Sequence, residues 1–399
     1  MTTNGGLAEP SLPWLARPQG RSWTCGIPEQ VRSGAVRAFH ASLPGYAPTP
    51  LTEVPSLARE LGAGRVFVKD ESSRLGLPAF KVLGASWAIH QLLTDSPGRE
   101  KIAPTDPPGA TDPASATPPD ALADLRTATA RHPGLIFVTA TDGNHGRAVA
   151  RMARLTAAPA RVFVPAVTAL ATRAAIASEG AEVTQIDGSY DEAVTAARQW
   201  AHDHPGAALV QDTAWPGYEQ VPTWIVEGYS TLFAEIDSQL AAAGAGRPAL
   251  VAVPVGVGSL AQAAVMHYRG QGDVTAVLSV EPDTAACLLA SLRAGRPTTI
   301  PTANTIMAGL NCGTISSIAW PYFNGGLDAA VAVPDDAARR AAADLTAVGI
   351  SSGPSGASSL AGARAALTGP GSTDRRAALA VDPASVIVLL STEAAHPPQ

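Results

Sequence analysis

The chain has 399 residues, of which 46% are apolar and 16% charged, with a formal net charge of −6. Acidic and basic residues are mixed along it, so nothing favours a nucleic acid or an anionic membrane surface as partner, and no apolar run of about 18 residues suggests a membrane span. A chain of this length exceeds one simple core and predicts two units, or one large α/β unit with a sub-domain.

The three cysteines, Cys25, Cys287 and Cys312, form neither a metal-type spacing nor a disulfide framework. No metal site is expected, and a cytoplasmic setting fits. Met1 to Pro13 lack a basic start followed by an apolar core, so no signal peptide is expected. Residues 1–48 hold many Gly, Pro and Arg and show little periodicity. A helix over Pro55 to Leu61 and a strand over Arg65 to Lys69 follow. Residues 82–94 read as a helix, with Leu83, Trp87, Ile89 and Leu92 among its apolar positions. The Pro-rich stretch near 103–121 cannot bury a core and reads as a surface insertion. From Leu135 to Gln211, strand-like runs alternate with helix-like ones, which predicts βαβ units and a parallel sheet. A second series runs through a helix at 221–244, strands at 250–253 and 276–280, helices at 283–294 and 335–347, and a final strand at 386–390.

Only three lysines, Lys69, Lys81 and Lys101, stand among 25 arginines. Arginine replaces lysine in most solvated roles but cannot form a Schiff base, because the guanidinium keeps its proton. Lys81 lies in the apolar run Ala79-Phe80-Lys81-Val82-Leu83-Gly84, where burial would lower its pKa. Lys69 ends a strand beside Asp70 and Glu71 and reads as an ion-paired strand end, while Lys101 borders the Pro-rich stretch and reads as solvated. Codon bias alone would also produce the shortage.

Three further stretches carry candidate chemistry. In Gly256-Val257-Gly258-Ser259 a strand, a glycine turn and a helix start make an anion site suited to one phosphate monoester. Without a following lysine or a third fingerprint glycine it is neither a P-loop nor a dinucleotide loop. A tight βα turn explains the same residues. In Thr141-Asp142-Gly143-Asn144-His145-Gly146, Asp142 reads as a base or a helix cap. Asn144 reads as a donor to a phenolic oxygen or a turn residue. In Gln211-Asp212-Thr213-Ala214-Trp215, Asp212 ends a strand among aromatic neighbours, where its pKa would rise toward that of a useful base. An N-cap is the alternative. Together, a Schiff-base lysine, a phosphate cradle, a ring-oxygen donor and two acid/base groups meet the needs of pyridoxal 5′-phosphate.

With these motifs in view, the chain resembles the fold-type II pyridoxal-phosphate enzymes, and most closely the diaminopropionate ammonia-lyases. The resemblance covers roughly 45–395 outside the insertion. Asp212-Thr213-Ala214-Trp215 with Gly217-Tyr218-Glu219, and Thr305-Ile306-Met307-Ala308-Gly309-Leu310, carry the narrower likeness. It implies an α/β fold like the tryptophan synthase β subunit, with two open, twisted, mainly parallel sheets flanked by helices. Residues 1–85 and 203–399 would form the larger, cofactor-anchoring domain and 86–202 a smaller mobile one. It also implies a homodimer acting on a small amino acid. Lys81 would carry pyridoxal 5′-phosphate, with Phe80 beside it. Gly256, Val257, Gly258 and Ser259 would cradle the phosphate, and Asn144 would contact the ring hydroxyl. Ser391 or Thr392 would face the pyridine nitrogen. Asp142 and Asp212 would take the Cα proton from opposite faces, so that both enantiomers of 2,3-diaminopropionate give pyruvate and ammonia.

Two departures stand out. Pro354 occupies the place of a family glutamate in Gly353-Pro354-Ser355-Gly356-Ala357, and Ala394 follows Ser391-Thr392-Glu393 where glycine is usual. Cys287 and Cys312 should both approach the site entrance, within reach of a disulfide, although buried free thiols are the favoured state. A serine/threonine dehydratase or a β-replacement synthase is the competing reading, and a non-catalytic cofactor-binding protein is the other class. Retention of Lys81, Asp142 and Asp212 together argues against the latter.

Overall fold

The computed structural model describes residues 12–94 and 121–395. Lys101 and nearly all of the Pro-rich stretch lie outside the described residues. The strands in chain order are β1 (Trp14–Ala16), β2 (Leu51–Glu53), β3 (Arg65–Asp70), β4 (Ile136–Ala140), β5 (Ala160–Pro165), β6 (Glu182–Ile186), β7 (Ala207–Leu209), β8 (Leu250–Pro254), β9 (Ala276–Pro282), β10 (Ala329–Val333) and β11 (Val386–Ser391). Seven build one sheet in the order β1-β10-β9-β8-β11-β3-β2, and four build another in the order β6-β5-β4-β7. β1 and β2 join the edges of the larger sheet antiparallel. All other pairings are parallel. This is the α/β architecture of two mainly parallel sheets that the sequence predicts.

Strand chemistry explains the layering. Side chains alternate between the two faces of a strand, and a parallel sheet must be covered on both. Val66, Val68, Leu250, Ala252, Ile387 and Leu389 feed one core of the larger sheet. Their neighbours Phe67, Val251, Val253, Val388 and Leu390 feed the core on the opposite face. The helix Pro354–Leu367 lies under the first face and is made largely of Ser, Gly and Ala. Small residues let it approach closely: a Cβ at Gly362 would stand 2.3 Å from Val280.

The helix Val82–Thr94, which starts one residue after Lys81, crosses the helix Gln220–Ala242 at two glycines. A Cβ on Gly84 would lie 2.7 Å from Ile225 and Tyr229, and one on Gly228 only 2.5 Å from the Leu83 carbonyl oxygen. The position of Lys81 is therefore set by a helix crossing that admits no side chain at its centre.

The structure differs from the sequence reading in several places. The smaller sheet continues past the 202/203 division, because β7 pairs with β4 in the register Ile136↔Ala207. The strand itself falls in the run that the sequence reading ends at Gln211; only its pairing partner was not legible there. Residues 12–48 are more regular than predicted, holding β1 and the helix Ala35–Ser42. The helix expected at 283–294 begins at Cys287. β10 and the helix Pro354–Leu367 were not anticipated. No helix among the described residues is long and apolar enough to cross a membrane.

Candidate active site

In an open parallel sheet, the loops after the strands gather at one edge, where ligands bind. One cleft collects the loops after β4, β7, β8 and β11 together with the turn that carries Lys81. Lys81, Asp142, Asn144, Asp212, Gly256, Val257, Gly258, Ser259, Phe80 and Thr392 all line it. Ser391 does not: its hydroxyl donates to Ser352 Oγ at 2.8 Å within the core. Of the two hydroxyls expected at the pyridine nitrogen, only Thr392 reaches the cleft.

Lys81 Nζ donates to Asp212 Oδ2 at 2.5 Å. Burial alone would lower the lysine pKa, as the sequence suggested, but the Asp212 charge, Tyr229 and the Asp212 hydrogen bond together outweigh it and the pKa is raised. Burial would likewise raise Asp212, yet the Lys81 ammonium, through its charge and its hydrogen bond, and the Tyr190 hydroxyl hold it below the usual carboxylate range. The expectation of a raised Asp212 pKa is thus reversed, because sequence did not pair it with Lys81. Asp142 is the contrasting group. Burial, opposed by Lys81 and aided by Asp212 and Asp191, pushes it up to about 7. Two carboxylates in one cleft therefore carry opposite electrostatic bias.

Asp212 is held on several sides. Its carbonyl oxygen accepts from Ser259 Oγ at 2.6 Å, which ties it to the glycine loop. Tyr190 Oη lies 3.4 Å from Oδ1 and accepts from Gln211 Nε2 at 2.9 Å. His145 Nε2 donates to the Val210 carbonyl at 2.8 Å, so Nδ1 is the bare nitrogen, 3.8 Å from Asp212 Oδ2. Burial lowers the His145 pKa and keeps the ring neutral.

The glycine loop is a preformed anion cradle. Gly258 adopts φ +101°, and a Cβ there would lie 2.7 Å from the Phe323 ring. It caps the helix Ser259–Gly270, whose first-turn amides have no acceptor within the helix. Among the described residues, the amides of Gly256, Val257 and Gly258 donate to no backbone carbonyl. At the start of the helix Pro354–Leu367, Ser355 Oγ is buried, without a partner among the described residues, and part of the cleft lining.

Sequence reasoning missed Tyr190, Tyr229, Ser355 and Glu393 as cleft residues. Glu393 had a signal in its motif, but no role followed from it. Tyr190 and Tyr229 sit within helices that read only as packing elements. Lys69 is ion-paired as expected, though with Glu235 at 2.7 Å from a distant helix. Cys25, Cys287 and Cys312 are free thiols. No cluster of three or more metal-ligating side chains occurs among the described residues.

Residues 119–391 match the family described as pyridoxal-phosphate dependent enzyme. A diaminopropionate ammonia-lyase of Salmonella typhimurium is 37% identical over 305 residues, covering 75% of this chain and 72% of that protein. Among solved structures, the Escherichia coli diaminopropionate ammonia lyase in complex with D-serine aligns with a TM-score of 0.81 at 31% identity, covering 96% of this chain and 93% of that one. The same enzyme in complex with an aminoacrylate-PLP azomethine reaction intermediate aligns with a TM-score of 0.79 at 32% identity, covering 96% and 94%.

Proposed function

Because the chain belongs to the family of pyridoxal-phosphate dependent enzymes, we propose that it eliminates ammonia from 2,3-diaminopropionate, in either configuration, to give pyruvate and ammonia. Relatives carrying the name diaminopropionate ammonia-lyase support the substrate class. The observation that carries the reading is two carboxylates of opposite bias, Asp142 and Asp212, around Lys81 in one cleft.

The residues present fit the cofactor. A free-amide cradle on a helix start suits its phosphate, and the unpartnered Ser355 hydroxyl leaves a polar contact for a ligand. The amine of Lys81 would hold its aldehyde, with Phe80 packed alongside. Gly256, Val257, Gly258 and Ser259 would hold the phosphate, Asn144 the ring oxygen, and Thr392 the ring nitrogen. When bound, the cofactor supplies an electron sink for the pair left on the substrate Cα.

The chain's own groups move the protons. Asp142, with its pKa near neutrality, is suited to take the Cα proton from one face at physiological pH. Asp212 serves the other face when Lys81, displaced by substrate, leaves as the neutral amine and no longer offers it an ammonium. Lys81, released as the amine when substrate displaces it, is placed beside Asp212 to relay the proton taken from Cα to the departing β-amine. Ser259 and Tyr190 keep Asp212 in register through its carbonyl and carboxylate.

A homodimer in the cytoplasm, with the unit that carries the smaller sheet moving against the larger one, completes the reading. The three free thiols suit a reducing compartment, and light scattering reads the assembly state. The deciding experiment offers D- and L-2,3-diaminopropionate, D- and L-serine and L-threonine to the loaded enzyme, with Lys81→Ala as control. Pyruvate and ammonia from diaminopropionate well above the serine and threonine rates support the lyase. Preference for serine or threonine would point to a dehydratase. Cofactor spectral change without pyruvate would point to β-replacement.

A further inference from the structure

Position 354 supplies no carboxylate here, yet the start of the helix Pro354–Leu367 has one. It comes from Glu393, one residue beyond the loop residue Thr392. Glu393 is 5% exposed. Its Oε1 accepts from the Ser355 amide at 3.2 Å, and its Oε2 accepts from Asn144 Nδ2 at 2.8 Å. The backbone of Glu393 bridges to Ala79, two residues from Lys81. It is packed tightly: a Cβ on Gly353 would meet its Oε1 at 2.8 Å. The Asn144 contact joins the loop after β4 in the smaller sheet to the loop after β11 in the larger one.

An asparagine amide can present either its oxygen or its nitrogen to a neighbour, and only the hydrogen-bond partner decides which. A carboxylate accepts and never donates, so Glu393 obliges Asn144 to turn its nitrogen inward. One N–H is used on Glu393, and the second N–H of that nitrogen remains for another acceptor. We infer that Glu393 is a positioning residue that fixes Asn144 as a donor to the phenolic oxygen of pyridoxal 5′-phosphate. The inference rests on the assignment of Asn144 proposed above.

The test measures dissociation of pyridoxal 5′-phosphate from the full chain, with the absorption maximum of the bound cofactor and the thermal transition alongside. Glu393→Gln retains an oxygen for the Ser355 amide, so the helix start is kept while the obligation on Asn144 is lost. The expected result is cofactor binding about tenfold weaker in Glu393→Gln, with a shifted absorption maximum and an unchanged thermal transition. Asn144→Ala should weaken binding at least as much, and adding Glu393→Gln to it should cost less than a further twofold. Additive effects, or an unchanged Glu393→Gln, would overturn the inference. An Asn144→Ala variant that binds normally would instead remove the Asn144 assignment beneath it. Should Glu393→Gln lose its thermal transition, the exchange Asn144→Asp with Glu393→Gln carries the test, because it rebuilds the contact with reversed polarity. Stability restored without cofactor affinity supports the positioning role, and restoration of both shows a structural contact alone and overturns it.

Discussion

Replacing Asp142 by asparagine separates the cost of the group from its use. Its carboxyl is pushed from an ordinary 3.8 up to about 7, first by burial. Below pH 3.8 both folded and unfolded chains hold the proton, and no penalty exists. Between pH 3.8 and 7 the unfolded chain ionises while the folded one does not, so stability falls as pH rises, and above 7 the full penalty is present. At about 1.4 kcal/mol per pH unit the ceiling is about 4 kcal/mol. Asp142 is only half-buried, and solvent screening reduces this to about 1–2 kcal/mol. Asp142→Asn removes the titration. About two-thirds of that span lies above pH 5, so the stability of the variant relative to the parent should rise by about 0.6–1.3 kcal/mol between pH 5 and pH 8. Urea unfolding of the apoenzyme at the two pH values, with the slope checked for constancy, measures it. A difference that does not change with pH, or one that favours the parent at pH 8, would refute the reasoning.

Asp212→Asn should act in the opposite sense on Lys81. Removing the anionic partner lowers the ammonium pKa, so cofactor incorporation near pH 7 should quicken about tenfold for each pH unit of the fall, read by absorbance after mixing apoenzyme with cofactor. Glu235 accepts from both Lys69 and Arg74, each fully buried. Glu235→Gln leaves two cations short of a counter-charge and should cost about 3–5 kcal/mol, visible as a lower unfolding midpoint. Gly258→Ala puts a side chain at φ +101° and against Phe323. It should cost about 1–3 kcal/mol and weaken phosphate capture, which cofactor titration detects.

Much of the fold was legible because β-branched runs and helical periodicity coincide with real elements. The helices Pro55–Leu61, Val82–Thr94 and Asp335–Ala347 fall where periodicity puts them. The helix Pro354–Leu367 was not legible because Ser, Gly and Ala give no apolar stripe. It is chosen for close approach to the sheet, a tertiary requirement. β7 falls in the strand-like run that ends at Gln211, but the sheet it joins was not legible, because pairing with β4 is a tertiary choice. In the site, motif spacing identified the residue types that line the cleft but not their pairing. Lys81 and Asp212 lie far apart in sequence and touch in space, so both pKa directions came out opposite to expectation. Glu393 meets Asn144 from the other sheet, a partnership that no local pattern encodes.

The central claim is that two aspartates of unequal character serve the two faces of one substrate. Enantiomer-resolved pyruvate release by Asp142→Asn and Asp212→Asn tests it most directly. Each variant should lose about 10²–10⁴-fold on one enantiomer of 2,3-diaminopropionate and keep the other within a few-fold, with the affected enantiomer different in the two. Equal losses on both enantiomers in both variants would contradict the claim and leave a single base working through a shared carboxylate pair.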